Sequence, residues 1–264
     1  MKNNVKIFYN NNDKSINTFN EVKDKLIKNG FNIVENDYNI AIAIGGDGSF
    51  LRMVKETNFK SDVLYLGINT GTLGFAQEIH INELDELIEN LKTGNYKVNE
   101  FGVQETNLYS NNENSKFYSL NDIVIRDMDL NTLKLDIFID DALLEHFAGD
   151  GILVSTSFGS TAYNLSFGGS IIYNTFHALE LTPVAPLNNK TYRTLTNSLV
   201  LPQNKNIEII PVSNKNLIVT VDGENKYYEN VDKIDTILSD KTIMCYQNID
   251  YNFVKKINDK FLSN

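Results

Sequence analysis

Two short, wholly apolar runs set the strongest limit on how this chain can fold. Residues 40–44 read Ile-Ala-Ile-Ala-Ile, and residues 63–68 read Val-Leu-Tyr-Leu-Gly-Ile. Runs this short and continuous predict strands covered on both faces, as in a parallel sheet layered with helices. The helices are legible between them. Ile16, Phe19, Val22, Leu26 and Ile27 recur at helical spacing up to Gly30; residues 50–56 predict a second helix; Leu84, Leu87, Ile88 and Leu91 share one face of a third over 82–91. With a further strand over residues 5–9, residues 1–97 read as an α/β lobe with a parallel sheet.

Beyond residue 95 the pattern turns to β-rich runs, over 121–126, 133–139, 143–147, 151–155, 206–211, 217–221 and 242–246. Many strands with few helices predict a β-sandwich-like lobe, so the fold class is α/β plus all-β, with the second lobe spanning 98–250. Asp140-Asp141 reads as a hairpin turn. The segment 232–240 reads as a solvated edge, since it lacks the glycine and ligand spacing of an EF-hand loop. Residues 251–264 hold a short amphipathic helix expected to pack back on the first lobe. A length of 264 residues accommodates two lobes and their cores.

Charge narrows the partners. Thirty-four acids against 24 bases give a net charge of -10, which disfavours nucleic acid or an anionic membrane as the main partner. An anionic ligand must therefore be held locally. The one cysteine, Cys245, can form neither an intrachain disulfide nor a thiolate metal cage. Met1-Lys2-Asn3-Asn4 lacks the apolar core of a signal peptide, and no apolar run approaches the roughly 20 residues that span a bilayer. A soluble, cytoplasmic protein is expected. Asparagine clusters such as Asn10-Asn11-Asn12 and Asn111-Asn112, with three arginines (Arg52, Arg126, Arg193), read as the trace of an AT-rich genome. His80, His146 and His177 have no paired spacing and offer no metal site.

Gly45-Gly46-Asp47-Gly48-Ser49 follows the first apolar run directly and precedes a helix. Glycines let backbone N–H groups approach phosphate oxygens, and a helix start adds partial positive charge, so phosphate can be held without arginines. The same residues also suit a tight turn with Asp47 or Ser49 as a helix cap. Neither a G-x-x-x-x-G-K-[ST] loop nor a G-x-G-x-x-G fingerprint occurs, which disfavours ordinary P-loop and Rossmann mechanisms. A second cluster, Gly67-Ile68-Asn69-Thr70-Gly71-Thr72-Leu73-Gly74-Phe75, ends the next strand, and Phe75 could offer a flat face to a nucleobase or lie in the core. A third comprises Gly149-Asp150-Gly151, Ser155-Thr156-Ser157-Phe158-Gly159-Ser160-Thr161-Ala162-Tyr163-Asn164 and Gly168-Gly169. Its hydroxyls suit ribose and base edges. Asn121-Asp122 places an amide and a carboxylate where a strand begins.

Taken in order, Gly-Gly-Asp-Gly at 45–48, Asn-Thr-Gly-x-Leu-Gly-Phe at 69–75, Asn-Asp at 121–122, Gly-Asp-Gly at 149–151, Gly-Ser-Thr-Ala-Tyr-Asn at 159–164 and Leu-Thr-Pro-Val-Ala-Pro at 181–186 resemble the NAD kinases. The resemblance covers roughly residues 40–225. It implies transfer of the γ-phosphoryl group of ATP to the 2′-hydroxyl of the adenosine ribose of NAD, giving NADP, with a divalent cation, Mg2+ being expected. NAD and ATP would be the substrates and Asp47 the general base, with Gly45, Gly46 and Gly48 near the phosphates. Phe75, Asn121, Asp122, Thr161, Ala162, Tyr163, Ser166 and Ala185 match dinucleotide-binding positions. Asp150 matches a position that reaches a dinucleotide bound mainly by a neighbouring subunit, and a homotetramer with sites completed between subunits is implied. No residue is assigned to the metal. Three departures stand out: Phe158 replaces a hydroxyl residue, Asp122 is one methylene shorter than the family's usual glutamate, and Ser198 follows Asn197 where many members carry arginine.

Three other readings share parts of the pattern. A diacylglycerol-type lipid kinase uses the same glycine loop but would favour a basic or apolar membrane-facing surface, which the charge does not support. A dinucleotide sensor would bind without turnover, against which only the retained Asp47 speaks. A phosphofructokinase-like sugar-phosphate kinase leaves the Gly-Ser-Thr-Ala-Tyr cluster without a role.

Overall fold

The computed structural model describes residues 3–71, 74–77, 79–111 and 113–263. Thr72 and Leu73 of the second glycine-rich cluster, Asn112, Met1 and Lys2 lie outside the described residues. The chain forms two compact units, residues 1–101 with 241–264, and residues 102–240.

The first unit begins with β1 (Asn4–Tyr9), α1 (Asp13–Lys28), β2 (Asn32–Ile33), β3 (Ile40–Gly45), α2 (Asp47–Glu56), β4 (Leu64–Asn69), β5 (Ile79–His80) and α3 (Leu84–Thr93). Asn12 starts α1 by accepting the Ser15 N–H through Oδ1 at 2.9 Å, and Gly94, at φ 74°, ends α3. The strands run parallel in the order β2-β1-β3-β4. Alternation along β3 explains its unbroken apolar sequence. Ile40, Ile42 and Ile44 join Val22 and Leu26 of α1 and Leu84, Leu87 and Ile88 of α3 in one core. Ala41 and Ala43 point to the opposite face, where α2 packs with Phe50, Met53 and Val54 buried. The strand order reverses between β1 and β3. In open α/β sheets, ligands bind at the carboxyl ends of the strands flanking such a reversal. The residues there are Asn10 after β1 and the Gly-Gly-Asp-Gly loop after β3, joined by a hydrogen bond from Asn10 Nδ2 to Ser49 Oγ (3.1 Å).

The chain continues through β6 (Lys97–Ser110), β7 (Asn114–Ser119), β8 (Asp122–Asp127), β9 (Leu133–Ile139), β10 (Ala142–Gly149), β11 (Gly151–Thr156), α4 (Tyr163–Ser166), β12 (Ala178–Val184), β13 (Leu199–Pro202), β14 (Ile207–Pro211), β15 (Leu217–Val221), β16 (Glu224–Tyr228), β17 (Val231–Gln247) and α5 (Phe253–Phe261). One antiparallel sheet of the second unit has the order β13-β12-β11-β8-β15-β16; the other strands pair as β10-β9-β14-β17-β6-β7. Ile123, Ile125, Ile152 and Val154 from the first sheet share one apolar core with Leu135, Ile137, Ile207 and Ile234 from the second. This is the expected sandwich. Asp140 and Asp141 form the hairpin turn between β9 and β10, both at positive φ (48° and 66°).

Two expectations need correcting. The segment 232–240 is no solvated edge: it lies inside β17 between β14 and β6, with Ile234, Thr236 and Leu238 buried. Its charges alternate outward, where Lys233 pairs with Asp235 (2.9 Å) and Glu208 (3.1 Å). Residues 242–246, read as a strand of the β-rich lobe, belong instead to the first unit. Met244 and Cys245 pair in parallel with Leu64 and Tyr65 of β4, and Tyr246 joins that unit's core. Period-two patterning reports which side chains face inward and is blind to which sheet receives the strand. Among the described residues, no helix is long and apolar enough to cross a membrane.

Candidate active site

In the first unit the structure brings together Gly45, Gly46, Asp47, Gly48 and Phe75. Gly46 caps α2 in extended conformation without a side chain, and Asp47 is the first helical residue. The Asp47 carboxylate is held from the next strand's loop: Oδ2 accepts the Phe75 N–H at 2.8 Å and Oδ1 the Ala76 N–H at 3.0 Å. Gly74 is what lets the loop come so near, since a Cβ there would stand 2.1 Å from Asp47 Oδ1. These two bonds use about half of a carboxylate's roughly four acceptor positions, so each oxygen can still take a proton or a hydrogen bond. Gln77 Nε2 donates to the Gly46 carbonyl at 2.6 Å and ties the same two loops a second time. Buried Asn69 turns the end of β4 by accepting the Gly71 N–H through Oδ1 (2.7 Å). Asn69 Nδ2 and Gln77 Oε1 are buried beside this loop pair with no hydrogen-bond partner among the described residues. Two orphaned polar atoms at one place mark a site built for more than packing.

The second unit gathers Asn121, Asp122, Thr161, Ala162, Tyr163 and Ser166 around the start of β8 and the segment after β11. Asp122 is 4% exposed, and burial first, then the charge of Asp222, push its carboxyl up to about 7. Asp222 holds this strand start in place. It sits at φ 46° in the turn between β15 and β16, and its carboxylate accepts the Leu120 (2.8 Å), Asn121 (2.7 Å) and Asp122 (3.2 Å) N–H groups. Its own N–H donates to the Asp122 carbonyl at 3.0 Å. The Ser/Thr-rich segment lies directly on the Asn121 backbone: Thr156 Oγ1 donates to the Leu120 carbonyl and accepts the Gly159 N–H (3.1 Å), and a Cβ on Gly159 would stand 2.1 Å from the Asn121 oxygen.

Asn164 anchors the segment from below. Fully buried, it donates through Nδ2 to Glu180 Oε2 (2.8 Å) and accepts from Thr182 Oγ1 through Oδ1 (2.6 Å). Glu180, also fully buried, accepts the Ser170 N–H at 2.6 Å. Tyr163 stays 42% exposed, its hydroxyl accepting from Arg126 (2.8 Å) and its ring packed edge-on against Phe167. Thr161 and Ala162 are partly exposed, and Ser166 is exposed. Phe158 is partly buried beside Gly159. Asp150 and Ala185 meet at the opposite end of β11 and β12, where the Asp150 N–H donates to the Val184 carbonyl (3.0 Å) and Ala185 takes a positive φ of 44°. Both are exposed.

Asp222, Glu180 and Gln77 escaped the sequence reading. Asp222-Gly223 between two β runs is a turn signal, and nothing in a turn signal says where its carboxylate points. Glu180 is masked inside an otherwise apolar strand. Among the described residues no three His, Cys, Asp or Glu side chains converge as a metal cage, so no residue of the chain is assigned to a cation.

The comparisons with known proteins find matches along both units. A family model described as the ATP-NAD kinase N-terminal domain matches residues 2–96, and one described as the ATP-NAD kinase C-terminal domain matches residues 120–245. An NAD kinase from Finegoldia magna is 42% identical over 98% of this chain and 97% of its own length. NAD kinase 2 from Halalkalibacterium halodurans is 33% identical over 99% of both. Among solved structures, yeast NADH kinase in complex with NADH superposes with a TM-score of 0.86 at 24% identity, covering 99% of this chain and 88% of that one. An NAD kinase from Archaeoglobus fulgidus in complex with ATP gives 0.73 at 20% identity, covering 93% and 94%. Those two structures show the shared fold, and the matched family models and the relatives together show that this chain belongs to the ATP-NAD kinase family.

Proposed function

We propose that the chain transfers the γ-phosphoryl group of ATP to the 2′-hydroxyl of the adenosine ribose of NAD. The observation that carries this reading is the Asp47 carboxylate, fixed by the Phe75 and Ala76 amides at the start of α2. It sits at the carboxyl end of β3, beside the reversal in strand order. Asp47 takes the proton of the ribose 2′-hydroxyl as that oxygen bonds to the γ-phosphorus. The bond from the γ-phosphorus to its bridging oxygen breaks, and ADP leaves with the electron pair. General-base assistance of this kind contributes about 10²–10⁴-fold, and positioning with charge neutralisation supplies most of the rest.

Gly45, Gly46 and Gly48 offer close backbone approach to phosphates, and Phe75, Asn121, Asp122, Thr161, Ala162, Tyr163, Ser166 and Ala185 are read as dinucleotide contacts. In this reading the β-rich unit, residues 102–240, is the dinucleotide-binding lobe. Asp150 serves a dinucleotide bound by a neighbouring subunit of a homotetramer. Mg2+ would neutralise charge on the triphosphate. The cytoplasm, which holds both substrates, is the expected location.

The test is to incubate the purified protein with NAD, ATP and Mg2+ and follow NADP through an NADP-specific dehydrogenase. The wild type should form NADP, and Asp47→Asn should lose most of that rate. No NADP from the wild type would overturn the reading; equal turnover by the variant would remove only the base assignment. Light scattering checks the tetramer, and chelation checks the cation.

A further inference from the structure

Phe75 is gripped by the C-terminal helix. Phe253 of α5 meets its ring edge-on at 5.8 Å between centroids and an interplanar angle of 81°. Phe261, two turns further along, lies nearly parallel to it at 5.9 Å and 22°. Lys256 places Nζ 5.3 Å from the centroid of the same ring. The helix that carries all three is seated on the fold through Phe253, its buried residue. Asn252 caps it by accepting the Lys255 N–H (3.0 Å), and Phe253 is 3% exposed.

The same short loop thus meets structure on two sides: the amides of Phe75 and Ala76 bond to Asp47, and the Phe75 ring packs on α5. Gly71 and Gly74 flank the ring's loop and carry no side chain to hold it, so its placement depends on contacts from outside. An unbraced aromatic on such a loop would have to be ordered by its ligand on binding, at the expense of affinity. A ring already fixed at both edge and face loses little further freedom.

We infer that α5 positions Phe75, with Phe261 and Lys256 bracing the ring so that the loop meets the nucleobase preformed. The inference rests on Phe75 being the nucleobase contact, as read above. Phe261 is the residue to probe, because at 40% exposure its truncation spares the core.

Five proteins decide the matter: wild type, Phe75→Ala, Phe261→Ala, the Phe75→Ala/Phe261→Ala double variant and Phe261→Tyr, each assayed for KM of NAD and for kcat. One aromatic pair corresponds to about a 2- to 12-fold change. Phe261→Ala should raise KM by that factor with kcat within about twofold. The double variant should be no worse than Phe75→Ala, and Phe261→Tyr, which keeps the ring, should behave as wild type. Amide hydrogen exchange over residues 74–77, which needs no activity, should quicken in Phe261→Ala. Independent, multiplying effects on KM, or unchanged exchange, would overturn the brace. A Phe75→Ala variant with unaltered KM would instead overturn the nucleobase reading, and the proposed role with it, even where exchange quickens.

Discussion

The loop that carries Asp47 and the segment that carries Thr161 to Tyr163 are both rich in glycine and small polar residues, yet they are held by different means. Asp47 is fixed mainly by backbone: two amides of the neighbouring loop hold its oxygens, and Gly74 gives the clearance they need. The second segment is fixed by buried side chains: Asn164 bonds to Glu180 and Thr182 beneath an exposed surface, and Thr156 bonds to the Leu120 and Gly159 backbone. Backbone clamps place a single group accurately and leave the rest of the loop open to an anionic ligand. A buried side-chain network fixes a wider surface and makes stability depend on every member. Damage to the first should therefore appear in rate, and damage to the second in stability.

Gly74→Ala attacks the backbone clamp and should have the largest effect. Its methyl group would stand 2.1 Å from Asp47 Oδ1, so the carboxylate must leave its place. Loss of a positioned base predicts a fall in kcat of about 10²-fold or more. The melting temperature should move by no more than about 2 °C, because the site is a loop over an intact sheet. A normal kcat would show that the working carboxylate does not use this clamp.

Asn164→Ala is the matching attack on the side-chain network. It strips the buried Glu180 Oε2 of its amide donor and the Thr182 hydroxyl of its acceptor, leaving both without their side-chain partner. The expected loss is about 3 kcal/mol, or roughly 6–12 °C in melting temperature for a chain of this size. Thermal unfolding followed by circular dichroism reads it directly. A shift below about 2 °C would mean that the network is dispensable and that the contrast with the Asp47 loop fails.

The sequence exposed these two regions unevenly for the same reason. Glycines and a lone aspartate after an apolar strand are visible as a motif, so Asp47 and the parallel sheet behind it were legible. So was the sandwich, from alternation. The partners that hold the second segment were not. Glu180 sits in β12, where seven consecutive residues are buried, and its burial is tolerable only because Asn164 and Ser170 come back to meet it from the chain before it. Asp222 reaches Leu120 to Asp122 across about a hundred positions of sequence. Tertiary pairing of this sort leaves no periodic trace. The parallel docking of 242–246 on β4 was hidden likewise, since the alternation of Ile243 and Cys245 fits either sheet.

A third test sharpens the contrast through pH. Asp122 lies in the second region, buried beside Asp222, and its carboxyl is pushed up to about 7, against about 3.9 in an unfolded chain. Between those values the folded protein keeps a proton that the unfolded chain has released. The native state therefore binds more protons, and its stability falls as pH rises from about 4 through 7. Asp122→Asn removes this dependence. Melting temperatures at pH 5.5 and 8.5 should show the variant gaining on the wild type at the higher pH, and a constant difference would refute the shift.

The smallest effect is expected where neither kind of anchoring is at stake. Within the Asp140-Asp141 turn, Asp141 tests backbone conformation, standing at φ 66°, while the Asp140 carboxylate keeps its bonds to Lys205 and the Asn206 N–H. A two-residue hairpin of this hand prefers glycine at the second position, because a Cβ there crowds the backbone by about 1 kcal/mol. Asp141→Gly removes that strain but also loosens the unfolded chain, which returns roughly 0.4–1 kcal/mol. The two nearly cancel. The variant should gain no more than about 0.5 kcal/mol, or roughly 1–2 °C, with kcat and KM unchanged. A change in KM as large as that of Phe261→Ala would mean that the Asp140-Asp141 turn, to which no nucleotide contact is assigned, takes part in binding after all.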